Sequence, residues 1–227
     1  VDTNGTLGVF NSNRGDQRYG WTQFTSQGSF HSICTVDTRV YTVVKFDKGD
    51  GTNKYILCEF DSSFNTDMAK TYSGSNGVFS VSSDFANGAV LDVVSGTHYL
   101  GQFTVAGGNI DVSAVDNSLS SAEIGFKFDV TLKTNPIDTL AQQGPMTGEP
   151  RSMNKVILDL SNTLSVSVNS NNLIIRQVTD DLSLARQAVT GKKEFRLLGY
   201  SKDPQVTISQ SAPLSLQVNS LVAEVTF

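Results

Sequence analysis

The sequence predicts an all-β fold, and three observations carry that expectation. Charged residues make up only 17% of the 227 residues, and the Gly-, Ser-, Thr-, Asn- and Val-rich remainder favours short strands and tight turns over surface helices. Apolar and polar residues alternate with period two in many short runs, the pattern of half-buried strands. Between those runs stand the turn-forming stretches KGDGTN, SGTH, AGG, NSNN and TGKK, so hairpins account for most of the connectivity. A chain of this length buries a sizeable core and holds one large domain or two small ones.

The first regular element is a three-strand meander over GSFHSICTV (28–36), RVYTVVKF (39–46) and NKYILCEF (53–60). It places the two cysteines, Cys34 and Cys58, on its outer strands. Neighbouring strands lie about 4.8 Å apart, so residues separated by a middle strand sit roughly 9–10 Å apart, beyond the Cα separation of about 7 Å that a disulfide spans. Two free, largely buried thiols that pack in the core are therefore expected. Further strands are expected over AVLDVV (89–94), YLGQFTV (99–105), NIDVSA (109–114), NKVILDL (154–160), TLSVSV (163–168), LIIRQV (173–178) and EFRLLGY (194–200). The run IGFKFDVTL (124–132) sets Ile124, Phe126, Phe128, Val130 and Leu132 on one face of a single half-buried strand, with Lys127, Asp129 and Thr131 on the other. Helical character is weak and confined to DLSLARQAV (181–189) and PIDTLAQQG (136–144), each readable as a short helix or a loop.

The closing stretch, VTISQSAPLSLQVNSLVAEVTF (206–227), alternates almost to its last residue. Chain ends usually fray, because a few residues bury too little surface to offset the entropy of ordering, so a patterned terminus implies a strand docked in a sheet. Val206 and Ile208 share a face, followed by Leu214, Leu216 and Val218, after which the parity flips to Leu221, Ala223, Val225 and Phe227. A β-bulge near Asn219 and Ser220 absorbs the extra residue and keeps both sets on one core. Pro213, lacking an amide donor, fits a strand start or a sheet edge.

A net charge of −5 argues against a nucleic-acid groove, which needs clustered Lys and Arg. No apolar run approaches the roughly 20 residues that span a bilayer, and the opening VDTNGTLGVF has neither a basic nor a long apolar region. A first residue Val1 instead of Met leads us to expect a processed product or a piece of something longer.

Chemistry-bearing motifs are few. RGD at Arg14–Asp16 is an integrin-type tripeptide, but three residues recur often by chance and a turn is the better reading. DKGDGTN (47–53) is acidic, but calcium-loop spacing from Asp47 places Gly49, Gly51 and Thr52 where oxygen ligands belong, so a hairpin tip is the better reading. His31 and His98 have no Cys or second His at metal-ligand spacing and read as half-exposed strand or turn residues. Glu59, Asp61, Asp129 and Asp159 could supply a glycosidase pair only if distant strands converge. A sugar platform would draw on Trp21, the only tryptophan, with Tyr99 and Tyr200, but Trp21 sits in an apolar pattern that favours core packing. No catalytic, metal-binding or cofactor-binding residue is assigned.

The run LGVFNSNRGDQRYGWTQFTSQGSFHSICTVDTRVYTVVKFDKGDGTNKYILCEFD resembles a pattern in the tail nozzle proteins of short-tailed bacteriophages, the tail tubular protein B class. The pattern is an apolar strand, a Trp after a short polar link, Thr or Ser, a Gly, and a three-strand meander ending aromatic or apolar plus Asp. Trp21, Gly28, Val40, Tyr41 and the segment from Tyr55 to Asp61 match it. ANGAVLDVVSGTHYLGQFTVAGGNIDVS and AEIGFKFDVTLKTNP are similar to the small β domain that follows in those proteins. TGKKEFRLLGYSKDPQVTISQSAPLSLQVNSLVAEVTF is similar to their closing segment, with Ser215 where the commoner pattern has a second Pro. The three parts occur in the family's order, and the chain corresponds to the C-terminal portion of proteins generally several times longer.

The resemblance implies a propeller-blade-like β meander over 1–65, a small inserted β domain (barrel or sandwich) over 66–138, and a C-terminal β region over 139–227 that packs back on the first block. Composition shifts near residues 62–77 and 136–150 divide the chain at similar places. It implies a non-catalytic structural protein of the virion, made in the host bacterial cytoplasm and located in the phage tail. There the nozzle is a homo-oligomeric ring, usually of six copies, that forms part of the DNA exit tube and serves DNA ejection. Its partners would be tail adaptor and tail fibre proteins, with DNA as passing cargo and no membrane insertion; an acidic surface repels phosphate and suits such a channel. The alternatives are a host-recognition or carbohydrate-binding β module of the virion and a polysaccharide-degrading enzyme.

Overall fold

The computed structural model describes all residues except 14, 16, 17, 49, 50, 52, 137–139, 142, 143, 146–149, 176–184 and 227. Among the described residues there is no helix, and hence none long and apolar enough to cross a membrane. The all-β expectation holds: strands pair antiparallel throughout. The residues form two compact units, Val1–Ser95 with Leu100–Phe128, and Gly96–Tyr99 with Asp129–Phe227.

In the first unit β1 (Leu7–Asn13) and β2 (Arg18–Phe24) pair as a two-stranded ribbon. The expected meander forms almost residue for residue as β3 (Ser29–Val36), β4 (Arg39–Asp47) and β5 (Asn53–Glu59), in that order. Its inner face buries Phe30, Thr42, Val44 and Phe46, and Leu7 of β1 joins Phe30 and Val44 in one apolar cluster. Gly28 is required at the entrance, because a Cβ there would lie 2.7 Å from the Lys45 carbonyl oxygen.

A six-stranded sheet follows, of β6 (Asp67–Ser75), β7 (Val78–Ser80), β8 (Val90–Ser95), β9 (His98–Thr104), β10 (Asn109–Asp111) and β11 (Ser121–Phe126). Its order is β10-β7-β6-β11-β8-β9. The outermost strands in that order, β9 and β10, are joined only by residues 105–108, so the sheet curls to bring its ends together. Inside the curl Phe79, Leu91, Val93, Ile110 and Ile124 are fully buried.

The second unit contains β12 (Val130–Lys133), β13 (Leu140–Ala141), β14 (Gly144–Pro145), β15 (Arg151–Thr163), β16 (Ser167–Val168) and β17 (Asn171–Asn172). It continues with β18 (Val189–Arg196), β19 (Tyr200–Ser201), β20 (Thr207–Gln210) and β21 (Val218–Thr226). β15, of 13 residues, is its axis. β18 and β19 pair along one edge of it and the terminal β21 along the other. Val156, Leu158 and Leu160 are fully buried by this arrangement.

The docked terminus is therefore real, and so is its bulge. Asp159 faces Ser220 while Leu160 faces Val218, which leaves Asn219 unmatched. One extra residue restores the parity, so Val218 and the later set of Leu221 and Ala223 all pack against one core. Lys155 and Glu224, opposite one another, close an exposed ion pair at 3.0 Å.

Several expectations are corrected. The run 124–132 is not one strand: it breaks at 127–129 into β11 and β12, which pair in different sheets, so Phe128 and Leu132 are exposed. TGKK is not a turn but part of β18, opposite the irregularity between Leu160 and Thr163. The strand expected over 163–168 shrinks to β16, and that over 173–178 is replaced by β17 upstream, residues 176–178 lying outside the described ones. Pro213 sits buried in the irregular connection between β20 and β21 and not at a strand start or an edge. In this connection the Gln210 side chain donates to the Leu214 and Ser165 carbonyls, replacing ladder bonds that the irregular backbone forgoes. Of the two weakly helical stretches, the described residues are strand or irregular, and 137–139, 142, 143 and 181–184 lie outside them, as does the expected face position of Phe227.

Leu158 is fully buried on the strand shared by β18 and β21, whereas Val222 of β21 is largely exposed. Leu158→Ala is expected to cost about 2–5 kcal/mol, and Val222→Ala to stay within about 0.5 kcal/mol, in urea denaturation followed by circular dichroism. Hydrogen exchange should show protection at alternate residues across 220–225, those whose amides donate to β15, since β21 pairs with that strand alone among the described residues.

Candidate functional site

A two-stranded ribbon buries at most one face, and the parity of β1 decides which. Leu7 turns inward, so Gly8, Phe10 and Ser12, with Gln23, Trp21 and Tyr19 opposite them, share the other side. There Trp21 is 76%, Tyr19 62% and Phe10 50% exposed. The expectation that Trp21 packs in the core is thus overturned: among the described residues none covers its strand on that side. The rings stabilise one another instead, Phe10 lying 4.8 Å from Trp21 and 6.3 Å, nearly parallel, from Tyr19. Trp21 also leans across the bare backbone at Gly8. The outcome is an open aromatic strip flanked by small and amide side chains.

The meander offers a second uncovered surface. Its strands are apolar at both parities, so while Val44 and Phe46 face the core, Val43 and Tyr41 look outward beside Leu57 and Tyr55. Leu57 is 70% exposed and Tyr55 is also largely exposed. His31 packs edge-on to Tyr55 at 5.2 Å. The sequence signal for this surface was present in RVYTVVKF, where both phases of the alternation carry apolar residues.

The candidates read from the sequence are scattered. Both cysteines are free, as expected, but Cys34 is exposed and Cys58 half-buried. The expected burial fails for Cys34 because it points to the outward face, opposite Tyr41. Burial, with the nearby Asp67 charge, pushes the Cys58 thiol up from its ordinary value. His31 is an exposed strand residue and His98 a half-buried one. Glu59 is paired with Arg39 at 3.4 Å, and Asp61 accepts from the Ser63 amide, which with the Ser63 side chain holds its carboxyl below the usual range. Asp129 and Asp159 lie in the other unit, as do Tyr99 and Tyr200.

Of RGD, residues 14 and 16 lie outside the described residues, with Gly15 in a turn between β1 and β2. The acidic loop loses residues 49, 50 and 52 in the same way, and Asp47 accepts from the Gly51 amide at 3.2 Å. Among the described residues no three His, Cys, Asp or Glu gather as a metal site. No protein-family model matches the chain, and no curated protein matches it.

Two measurements check these placements. A disulfide-exchange reagent should modify Cys34 at once and Cys58 slowly, with the Cys58 rate rising only at higher pH than an ordinary thiol requires, because its thiolate is disfavoured. Trp21 fluorescence should resemble indole in water and be quenched freely by iodide; a blue-shifted, protected emission would contradict the open strip.

Proposed function

We propose that the chain is a structural component of a short phage tail, the C-terminal portion of a nozzle-type ring that forms part of the DNA exit tube. The observation that supports this reading is the uncovered outer face of the meander, where Tyr55 and Leu57 stand exposed beside Val43 and Tyr41. A blade-like sheet with an apolar outer face suits a subunit completed by neighbouring blades or copies. In this reading the chain supplies packed β surfaces and passive guidance for DNA, and no residue carries bond-making chemistry. Its homo-oligomeric ring, six copies in the full-length protein, would contact the tail adaptor and fibre proteins within the virion.

The aromatic strip of Phe10, Tyr19 and Trp21 favours a second reading, a host-recognition or carbohydrate-binding module of the same particle. Exposed rings beside Gln23 and Ser12 are suited to stacking on sugar faces.

Cryo-electron microscopy of the virion that carries this chain separates the two. Density for the chain in the wall of the tail tube, in a closed ring, is expected; density in a peripheral fibre overturns the nozzle reading. Glycan-array binding that Trp21→Ala abolishes would establish the second reading.

A further inference from the structure

A cavity of about 580 Å³ opens within the first unit, between the inner face of the meander and β6. That volume falls in the range of small-molecule sites, about 300–1,000 Å³. Phe24, Phe30, Phe60, Phe64, Phe85 and Phe128 contribute rings to its wall. The charged lining is unbalanced: Glu59, Asp61, Asp67 and Asp84 stand against Lys70 alone. Lys70 is already committed, its Nζ lying 3.0 Å from Asp84 Oδ2, which also accepts from the Tyr72 hydroxyl. Asp67 differs from the other acids. Its Oδ2 accepts from the Ser26 hydroxyl and the Gln27 amide, both at 2.9 Å, and among the described residues no Lys or Arg forms an ion pair with it. Burial raises its carboxyl above the ordinary value in spite of those donors.

The backbone that presents Asp67 is irregular. Ile124 faces Lys70 and Phe126 faces Asp67, so Met68 and Ala69 together oppose Gly125 in a bulge. Met68 takes φ 52°, a left-handed conformation that a non-glycine residue rarely adopts. Gly125 is obligatory opposite it, since a Cβ would lie 2.5 Å from Thr66 Oγ1 and 2.6 Å from the Asp67 carbonyl oxygen. Glu123 fixes the preceding turn by accepting from the Asn65 and Thr66 amides at 2.7 and 2.8 Å. Bulges and strained residues of this kind gather where a side chain must be aimed at a site.

We propose that this cavity binds a small organic ammonium ion with an apolar body, the phenylalanine rings embracing it and Asp67 serving as counter-ion. Ring faces attract cations, most strongly out of water, and a half-buried carboxylate served only by neutral donors gains most from an incoming positive charge. The inference does not depend on the tail reading.

The test is titration of the full chain with benzyltrimethylammonium and with its neutral isostere neopentylbenzene, followed by saturation-transfer NMR. The cation is expected to bind at least about tenfold more tightly than the hydrocarbon, and Asp67→Asn to remove that preference while leaving hydrocarbon binding unchanged. Failure of the cation to bind, equal binding of the two compounds, or an unaltered preference in Asp67→Asn would each overturn the proposal. Because Asp67 also tethers Ser26 and Gln27, Ala69→Leu provides a second variant, filling the cavity with every carboxylate in place. It should abolish cation binding with the circular dichroism unchanged, and undiminished binding would place the cation elsewhere and sink the assignment.

Discussion

The second unit depends on one strand having partners along both edges. β15 runs for 13 residues with β18 and β19 on one side and β21 on the other. From Lys155 to Leu160 the backbone donors and acceptors have a ladder on either side, and Val156, Leu158 and Leu160 can be fully buried without stranding polar groups. The arrangement also explains why a chain terminus is ordered. β21 gains little from neighbours in sequence and almost everything from a strand far upstream, so its apolar residues are valuable only if the register is held. The bulge at Asn219 holds it, converting a change of parity in the sequence into continuous packing. Such long-range pairing is slow to form, because the loop must close before its contacts compensate.

The first unit solves the same problem differently. The curled six-stranded sheet, which belongs to it except for His98 and Tyr99 of β9, encloses its own core, whereas the meander and the ribbon are apolar on both faces and, among the described residues, bury only one. Alternation within a strand says which residues share a face; it does not say how many faces will be covered. Trp21 and Leu57 are the cost of that ambiguity in solvent exposure, and they mark where additional layers would fit.

This distinction also separates what was legible in the sequence from what was not. The meander was readable to within a residue or so, since three alternating runs bounded by Asp37, Thr38 and the Gly-rich 47–53 loop leave little choice of hairpin. The terminal bulge was readable because a parity flip has few physical resolutions. The break at 127–129 was not, since IGFKFDVTL keeps perfect alternation across the point where the chain passes from one unit to the other. TGKK failed for the opposite reason: residues with turn chemistry can occupy a strand when they meet an irregular stretch of its partner, here beside Asn162. The cavity was invisible in sequence because its phenylalanines come from segments with no common period: β2, β3, the stretch after β5, the β7–β8 connection and the β11–β12 connection.

Cys34 sits exposed on β3, an outer strand of the meander whose Phe30 amide donates to the Gly5 carbonyl. Air oxidation in a concentrated sample can join two chains covalently through this exposed thiol without either losing its fold. Particle masses for this protein acquire meaning only under a reducing agent or with that sulfur alkylated; otherwise a chemical cross-link will be counted as a natural dimer.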